Sequence, residues 1–252
     1  MVSKLIYLFL FLNVSFVSAQ IDSLALFDGK SLDGWIPKIR GEQAGHDSRA
    51  TFRVVNEEIH VNYSNYESFD EQFGLLFFEE SFGFYELSFE YRFLEGQIHD
   101  GPDWAFKNSG IMFHSESPYE MELNQDFPIS LEAQLLGSKD EHQIRPTMNL
   151  CTPGTHVRMK NVLKKEHCIY SKGPSFHDGQ WVKVVLKVKP DSTIEHWVNG
   201  QLVMKYHNAV TGGGGVNKEI KGSSIELKQG YIALQSESHP VAFREIYIKV
   251  LE

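Results

Sequence analysis

The chain has 252 residues, 42% of them hydrophobic, and a formal net charge of −9, with 33 acidic against 24 basic side chains. An acidic balance of this size disfavours nucleic acid or an anionic membrane surface as a partner, and leaves a neutral ligand such as a sugar open. After the N-terminal leader no apolar run approaches the roughly 20 residues of a membrane helix.

The leader is "MVSKLIYLFLFLNVSFVSA": a basic lead at Lys4, an apolar run from Leu5 to Val17, and small residues Ser18 and Ala19. This predicts a secretory signal peptide over 1–19, cleaved after Ala19, and a secreted or periplasmic protein of one domain over 20–252. Beyond it the dominant period is two. "FYELSFEYRF" puts Tyr85, Leu87, Phe89, Tyr91 and Phe93 on one face and Glu86, Ser88, Glu90 and Arg92 on the other, the pattern of a half-buried antiparallel strand. "WVKVVLKVKP" repeats it, "STIEHWVNGQLVMKY" carries the hairpin signal Asn199-Gly200, and "AFREIYIKVLE" supplies a last alternating strand. Short alternating strands between Gly, Pro, Asn and Asp predict an all-β fold, a two-sheet antiparallel jelly-roll sandwich.

Three polar, turn-rich segments, 38–50, 95–107 and 137–180, are long for plain connections, and such loops are more often functional than idle. The run "TGGGGVNKEIKGSS" reads as a mobile surface loop. Cys151 and Cys168 are the only cysteines. In an exported chain their spacing predicts one disulfide, worth about 3 kcal/mol in the chain-entropy model; two unpaired buried thiols are the alternative.

Three strands carry polar groups on the face opposite their apolar residues. In "NSGIMFHSE", Ile111 and Phe113 share one parity while Asn108, Gly110, Met112 and His114 share the other. In "ISLEAQLLG", Glu132 and Gln134 oppose Leu131, Ala133 and Leu135. In "GYIALQSESHP", Ile232 and Leu234 point one way and Gln235, Glu237 and His239 the other, just before Pro240. One wet sheet face carries such residues without any function, but ordinary wet faces favour Lys, Glu and Thr. Amides, imidazoles and single carboxylates beside Gly or Pro suit binding of sugar hydroxyls and proton transfer.

The motifs "LFDGKSLDGW", "NSGIMFH", "LEAQLLG", "NLCTPGTHV", "HWVNGQ" and "QSESHPVAFREIYI" follow one another in the order and spacing of the 3-keto-disaccharide hydrolase family, which the chain resembles from about residue 24 to 250. That family is also described as 3-keto-glucoside 1,2-lyase and 3-keto-2-hydroxy-glucal hydratase, on a concanavalin A-like jelly roll. The resemblance implies cleavage of glycosides whose C3 hydroxyl a partner sugar 3-dehydrogenase has oxidised to a ketone. A ketone at C3 acidifies the proton on C2; a base, an enolate stabiliser and an acid then suffice to expel the oxygen at C1, and adding water back gives net hydrolysis.

Chemistry and strand parity nominate Glu132 or Glu237 as base, His239 or His114 as acid or electrophile, and Asn108, Gln134 and Gln235 as hydroxyl ligands. His156 reaches the site if the disulfide pins its loop, and Trp104 is the best candidate for stacking on a sugar ring. A divalent metal is the other way to stabilise an enolate. Its candidate ligands are the same four, His114, Glu132, Glu237 and His239, without any compact ligand spacing. Two rivals stand beside this reading. A retaining glycosidase needs two carboxyls about 5 Å apart, and the nearest match to its E-x-D-x-x-E strand, "EMELNQ", departs from that pattern. A non-catalytic lectin-like module needs only the binding residues.

Overall fold

The computed structural model describes residues 23–220 and 224–251, so the leader read from residues 1–19 lies outside the described residues. In chain order the strands are β1 (Leu24–Ala25), β2 (Trp35–Ile39), β3 (Phe52–Val55), β4 (Glu58–Val61), β5 (Gly74–Phe82), β6 (Tyr85–Phe93), β7 (Asn108–Ser115), β8 (Leu131–Leu136) and β9 (Asn149–Cys151). There follow β10 (Thr155–Met159), β11 (Val162–Lys164), β12 (Cys168–Ile169), β13 (Val182–Lys189), β14 (Thr193–Val198), β15 (Gln201–Thr211), β16 (Gly230–Ser236) and β17 (Val241–Val250). A turn of 3-10 helix at Asp103–Ala105 precedes β7.

They form two antiparallel sheets. A ten-stranded sheet runs β11-β10-β15-β14-β13-β6-β17-β4-β3, with β1 also on β17, and a seven-stranded sheet runs β12-β9-β8-β7-β16-β5-β2. This is the two-sheet jelly-roll sandwich that the period-two pattern predicts. Tyr85, Leu87, Phe89, Tyr91 and Phe93 of β6 are all buried, and they share one core with Ile111, Phe113, Leu131, Ala133, Leu135, Leu150, Ile232 and Leu234 of the facing sheet. Truncating a ring such as Phe89 to Ala there costs about 3–5 kcal/mol. Asn199 and Gly200 both take left-handed backbone, as the tight β14–β15 turn requires.

Two of the irregular stretches are more ordered than their sequence suggests. Residues 137–180 hold β9 to β12, strands of two to five residues too short to show a period. The glycine run is tied down rather than loose: Gly154 N–H donates to the Gly214 carbonyl at 2.8 Å, and Gly212 N–H to the Gly154 carbonyl at 2.9 Å. Further along, Asn217 bridges to Asp126 N–H and the Asn124 carbonyl, and Lys218 pairs with Glu116 at 2.6 Å.

Cys151 and Cys168 are bonded, joining β9 to β12 at directly paired positions. No described helix is long and apolar enough to cross a membrane. A disulfide belongs to an oxidising compartment, which agrees with an extracellular or periplasmic chain.

Candidate active site

The site is built on the outer face of the seven-stranded sheet. Register places Ala233, Met112, Glu132 and Cys151 in one row across β16, β7, β8 and β9, and Gly110, Gln134 and Asn149 in the next. Gly110 is the gap in this surface. A Cβ there would lie 2.5 Å from Glu132 Oε1 and 2.9 Å from Gln235 Oε1, so only glycine lets both side chains lie across the sheet.

Over these rows opens a cavity of about 330 Å³. It is lined by Asn108, Glu132 and Gln134 from β7 and β8, by Glu237, by an aromatic side of Trp104 and Phe127, and by the Cys151–Cys168 bridge with Pro153 and His167. Phe73 backs the aromatic side, stacked with Trp104 at 6.2 Å between ring centres and tilted against Phe127 at 5.1 Å. Arg145 ties the Trp104 loop in place, donating to the carbonyls of Trp104, Phe106, Lys107 and Gly137.

The two carboxyls dominate the electrostatics. Burial pushes Glu132 up to about 8 from its ordinary 4.5, and it accepts no hydrogen bond from the described residues. Glu237 is also raised well above its ordinary value, first by burial and then by the neighbouring Glu132, with the Arg145 guanidinium opposing the shift in part. Gln235 Nε2 donates to Glu237 Oε1 at 2.8 Å. Glu237 Oε2, Gln235 Oε1 and Asn108 Oδ1 are buried without a partner among the described residues. Each such atom costs about 1–3 kcal/mol, which a polar ligand in the cavity would recover.

Of the residues nominated from sequence, Glu132, Glu237, Asn108, Gln134 and Trp104 line this one cavity, and Gln235 holds Glu237 from beside it. The three histidines do not line it. His114 has φ 46°, and a register shift between β7 and β16 at this point breaks the alternation. Its ring lies near Tyr85 and Phe113, with its nitrogens within hydrogen-bonding distance of the carbonyls of Leu227 (3.1 Å) and Gly83 (3.3 Å). His239 misses the cavity for a related reason. β16 ends at Ser236, Ser238 takes φ 80°, and the chain crosses to the other sheet before Pro240. The His239 ring sits edge-on to Phe93 and Phe106 and donates from Nε2 to the Leu94 carbonyl at 3.0 Å; burial lowers it to about 4. His156, on β10 of the ten-stranded sheet, lies under Gly212 and Gly213.

The metal candidates are therefore split, two carboxyls in the cavity and two imidazoles away from it. Among the described residues no group of three or more His, Cys, Asp and Glu side chains could hold a metal ion. Sequence reasoning missed His167, Phe127 and Pro153 on the cavity wall and Arg145 behind it. For His167 the available signal was its place one residue before a disulfide cysteine.

Two packed antiparallel sheets with this outer cavity define a concanavalin A-like jelly-roll domain. The sequence matches the model of the 3-keto-alpha-glucoside-1,2-lyase-like domain over residues 22–249. The chain belongs to that family, and with it to the carbohydrate-active proteins. A Parabacteroides distasonis protein provisionally described as a glycosyl hydrolase superposes with a TM-score of 0.51 at 16% identity, over 90% of this chain and 93% of that one. A Bacillus subtilis protein of unknown function with a galectin-like fold reaches 0.50 at 11% identity, over 87% and 90%. At such identities the two bear on the fold alone. No curated protein sequence matches the chain.

Proposed function

We propose that the protein cleaves 3-keto-glycosides by removal of the C2 proton and expulsion of the oxygen at C1, with water added back across the double bond to give net hydrolysis. The observation that carries this reading is the pair of buried carboxyls, Glu132 and Glu237, facing one cavity beside acceptors left without partners. Burial keeps protons on the pair near neutral pH. A protonated carboxyl in an apolar site is suited to hydrogen-bonding an enolate oxygen or to protonating a departing one.

In this scheme Glu237, beside the partnerless Asn108 and Gln235 acceptors, donates a hydrogen bond to the C3 oxygen as charge develops there. Glu132 gives its proton to the glycosidic oxygen as the C1–O bond breaks. Asn108 and Gln134 hold hydroxyls, and the exposed Trp104 offers its face to a sugar ring. The chemistry then needs one further group, a base at C2 that is unprotonated at the same pH. Its substrate has to come from an enzyme that oxidises a sugar hydroxyl to a ketone, so a sugar 3-dehydrogenase is the functional partner. Signal-directed export fits the disulfide.

Paired incubations with a 3-keto-glucoside and its unoxidised parent test this. Release of the aglycone from the keto sugar alone is expected. Release from the parent would indicate a conventional glycosidase, and binding without turnover a lectin-like module.

A further inference from the structure

We propose that His167 is the general base that takes the C2 proton. The inference rests on the 3-keto-glycoside reading of the cavity and names the group that this reading leaves unassigned.

Four observations converge on it. His167 is the only imidazole lining the cavity among the described residues, on the wall that also holds the disulfide. Its ring has no hydrogen-bond partner among the described residues, unlike His114 and His239, which are tied to backbone carbonyls. Its backbone is fixed relative to Glu132: the His167 carbonyl accepts from Thr152 N–H at 2.8 Å, and the next residue, Cys168, is bonded to Cys151, the register neighbour of Glu132. Last, the glycine run acquires a reason. A Cβ at Gly215 would stand 2.4 Å from His167 Nδ1 and 2.5 Å from Cε1, and one at Gly213 would stand 2.3 Å from His156 Cε1. The run is free of side chains where it lies against two imidazoles, at Gly213 and Gly215, whose φ of 79° also favours glycine; Gly215 lies against the Nδ1 edge of His167, and Nε2 is the nitrogen assigned to the substrate.

His167 is itself exposed at the edge of the cavity, and partial desolvation moves its pKa below the ordinary imidazole value, towards the neutral ring that a base requires. The ionisable groups that share its cavity are Glu132 and Glu237; its chain neighbours Lys165 and Glu166 are exposed, and the run that packs on it contributes only glycines at 212–215. The step balances. The Nε2 lone pair takes the C2 proton, the C2–H electron pair becomes the C1=C2 bond, the C1–O bond breaks, and the departing oxygen takes the Glu132 proton. Solvent returns a proton to Glu132 and removes one from His167.

The test is solvent deuterium wash-in at C2 of 3-keto-1,5-anhydroglucitol, which has no aglycone at C1 and reports proton abstraction without glycoside cleavage, run beside cleavage of a 3-keto-glucoside. His167→Gln is expected to slow exchange by about 10²-fold or more, whereas Glu132→Gln keeps exchange and loses cleavage. Exchange in the wild type should rise with pH through the imidazole ionisation and then level off. Gly215→Ala alters no ionisable group but both crowds the His167 ring and strains the backbone at φ 79°, and should lose exchange as well; Gly214→Ala, whose Cβ would meet nothing within 4 Å, should keep it. Exchange by folded His167→Gln within threefold of wild type, with wild-type cleavage intact, overturns the inference and leaves the 3-keto-glycoside reading standing. Retention in Gly215→Ala argues the same way if His167→Gln does not fold. A wild type that neither exchanges nor cleaves any 3-keto sugar removes both.

Discussion

The outer faces of the two sheets carry similar residues in opposite states. On the ten-stranded sheet, outward charges are paired in solvent: Lys187 with Glu86 at 3.0 Å, Arg244 with Glu90 at 2.7 Å and Lys205 with Glu195 at 2.9 Å, while Arg92 and Arg244 both stack on Trp181. On the seven-stranded sheet, Glu132 and Glu237 have no cation bonded to them among the described residues and are buried among amides and aromatic rings. The first arrangement is what a solvated antiparallel face requires and contributes little per pair. The second is energetically costly, and a fold retains it where the raised carboxyls serve a ligand. Outward parity alone does not mark a site; outward parity combined with burial and a missing partner does.

The largest expected effect of breaking this contrast is at Glu132. Glu132→Gln should lower 3-keto-glycoside cleavage by about 10²–10⁴-fold, measured as kcat with a poor leaving group, because the proton for the departing oxygen is gone. The same variant should change stability in a definite direction. Between pH 4.5 and about 8 the unfolded chain has released the Glu132 proton while the folded chain still holds it. The folded state is therefore favoured at the acid end of that window, and the stabilisation is lost as pH rises towards 8. Thermal midpoints of Glu132→Gln should fall less than those of the wild type from pH 5 to pH 8. The smallest effect belongs to the other face: Lys187→Ala removes a pair whose side chains are 40% and 35% exposed, and should cost no more than about 1 kcal/mol in denaturant titrations. A loss several times larger would mean that the two faces are not as different as their burial indicates.

Much of this contrast was legible in the sequence, and what was not has a common cause. Alternation over β6, β8 and β13 shows directly which residues enter the core, because a half-buried antiparallel strand imposes a period of two. Glu132 and Gln134 follow from it. The reading fails at His114 and Ser238, where left-handed backbone ends the alternation and sends His114 and His239 away from the cavity. A histidine takes left-handed backbone more often than most residues do, but neither His nor Ser announces such a turn as Gly does. His167 was hidden for a different reason: β12 is only two residues long, and its place beside Glu132 depends on the disulfide and on β9, contacts that no local pattern encodes.

The account turns on two carboxyls that hold protons near neutral pH in one cavity. Carbon-13 NMR of protein labelled at the glutamate carboxyl carbons, with Glu132 and Glu237 assigned through their Gln variants, reads this directly across pH 4 to 10. The Glu132 signal is expected to titrate near 8, and the Glu237 signal likewise well above the ordinary carboxyl range. Two carboxylates already ionised by pH 5 would contradict it.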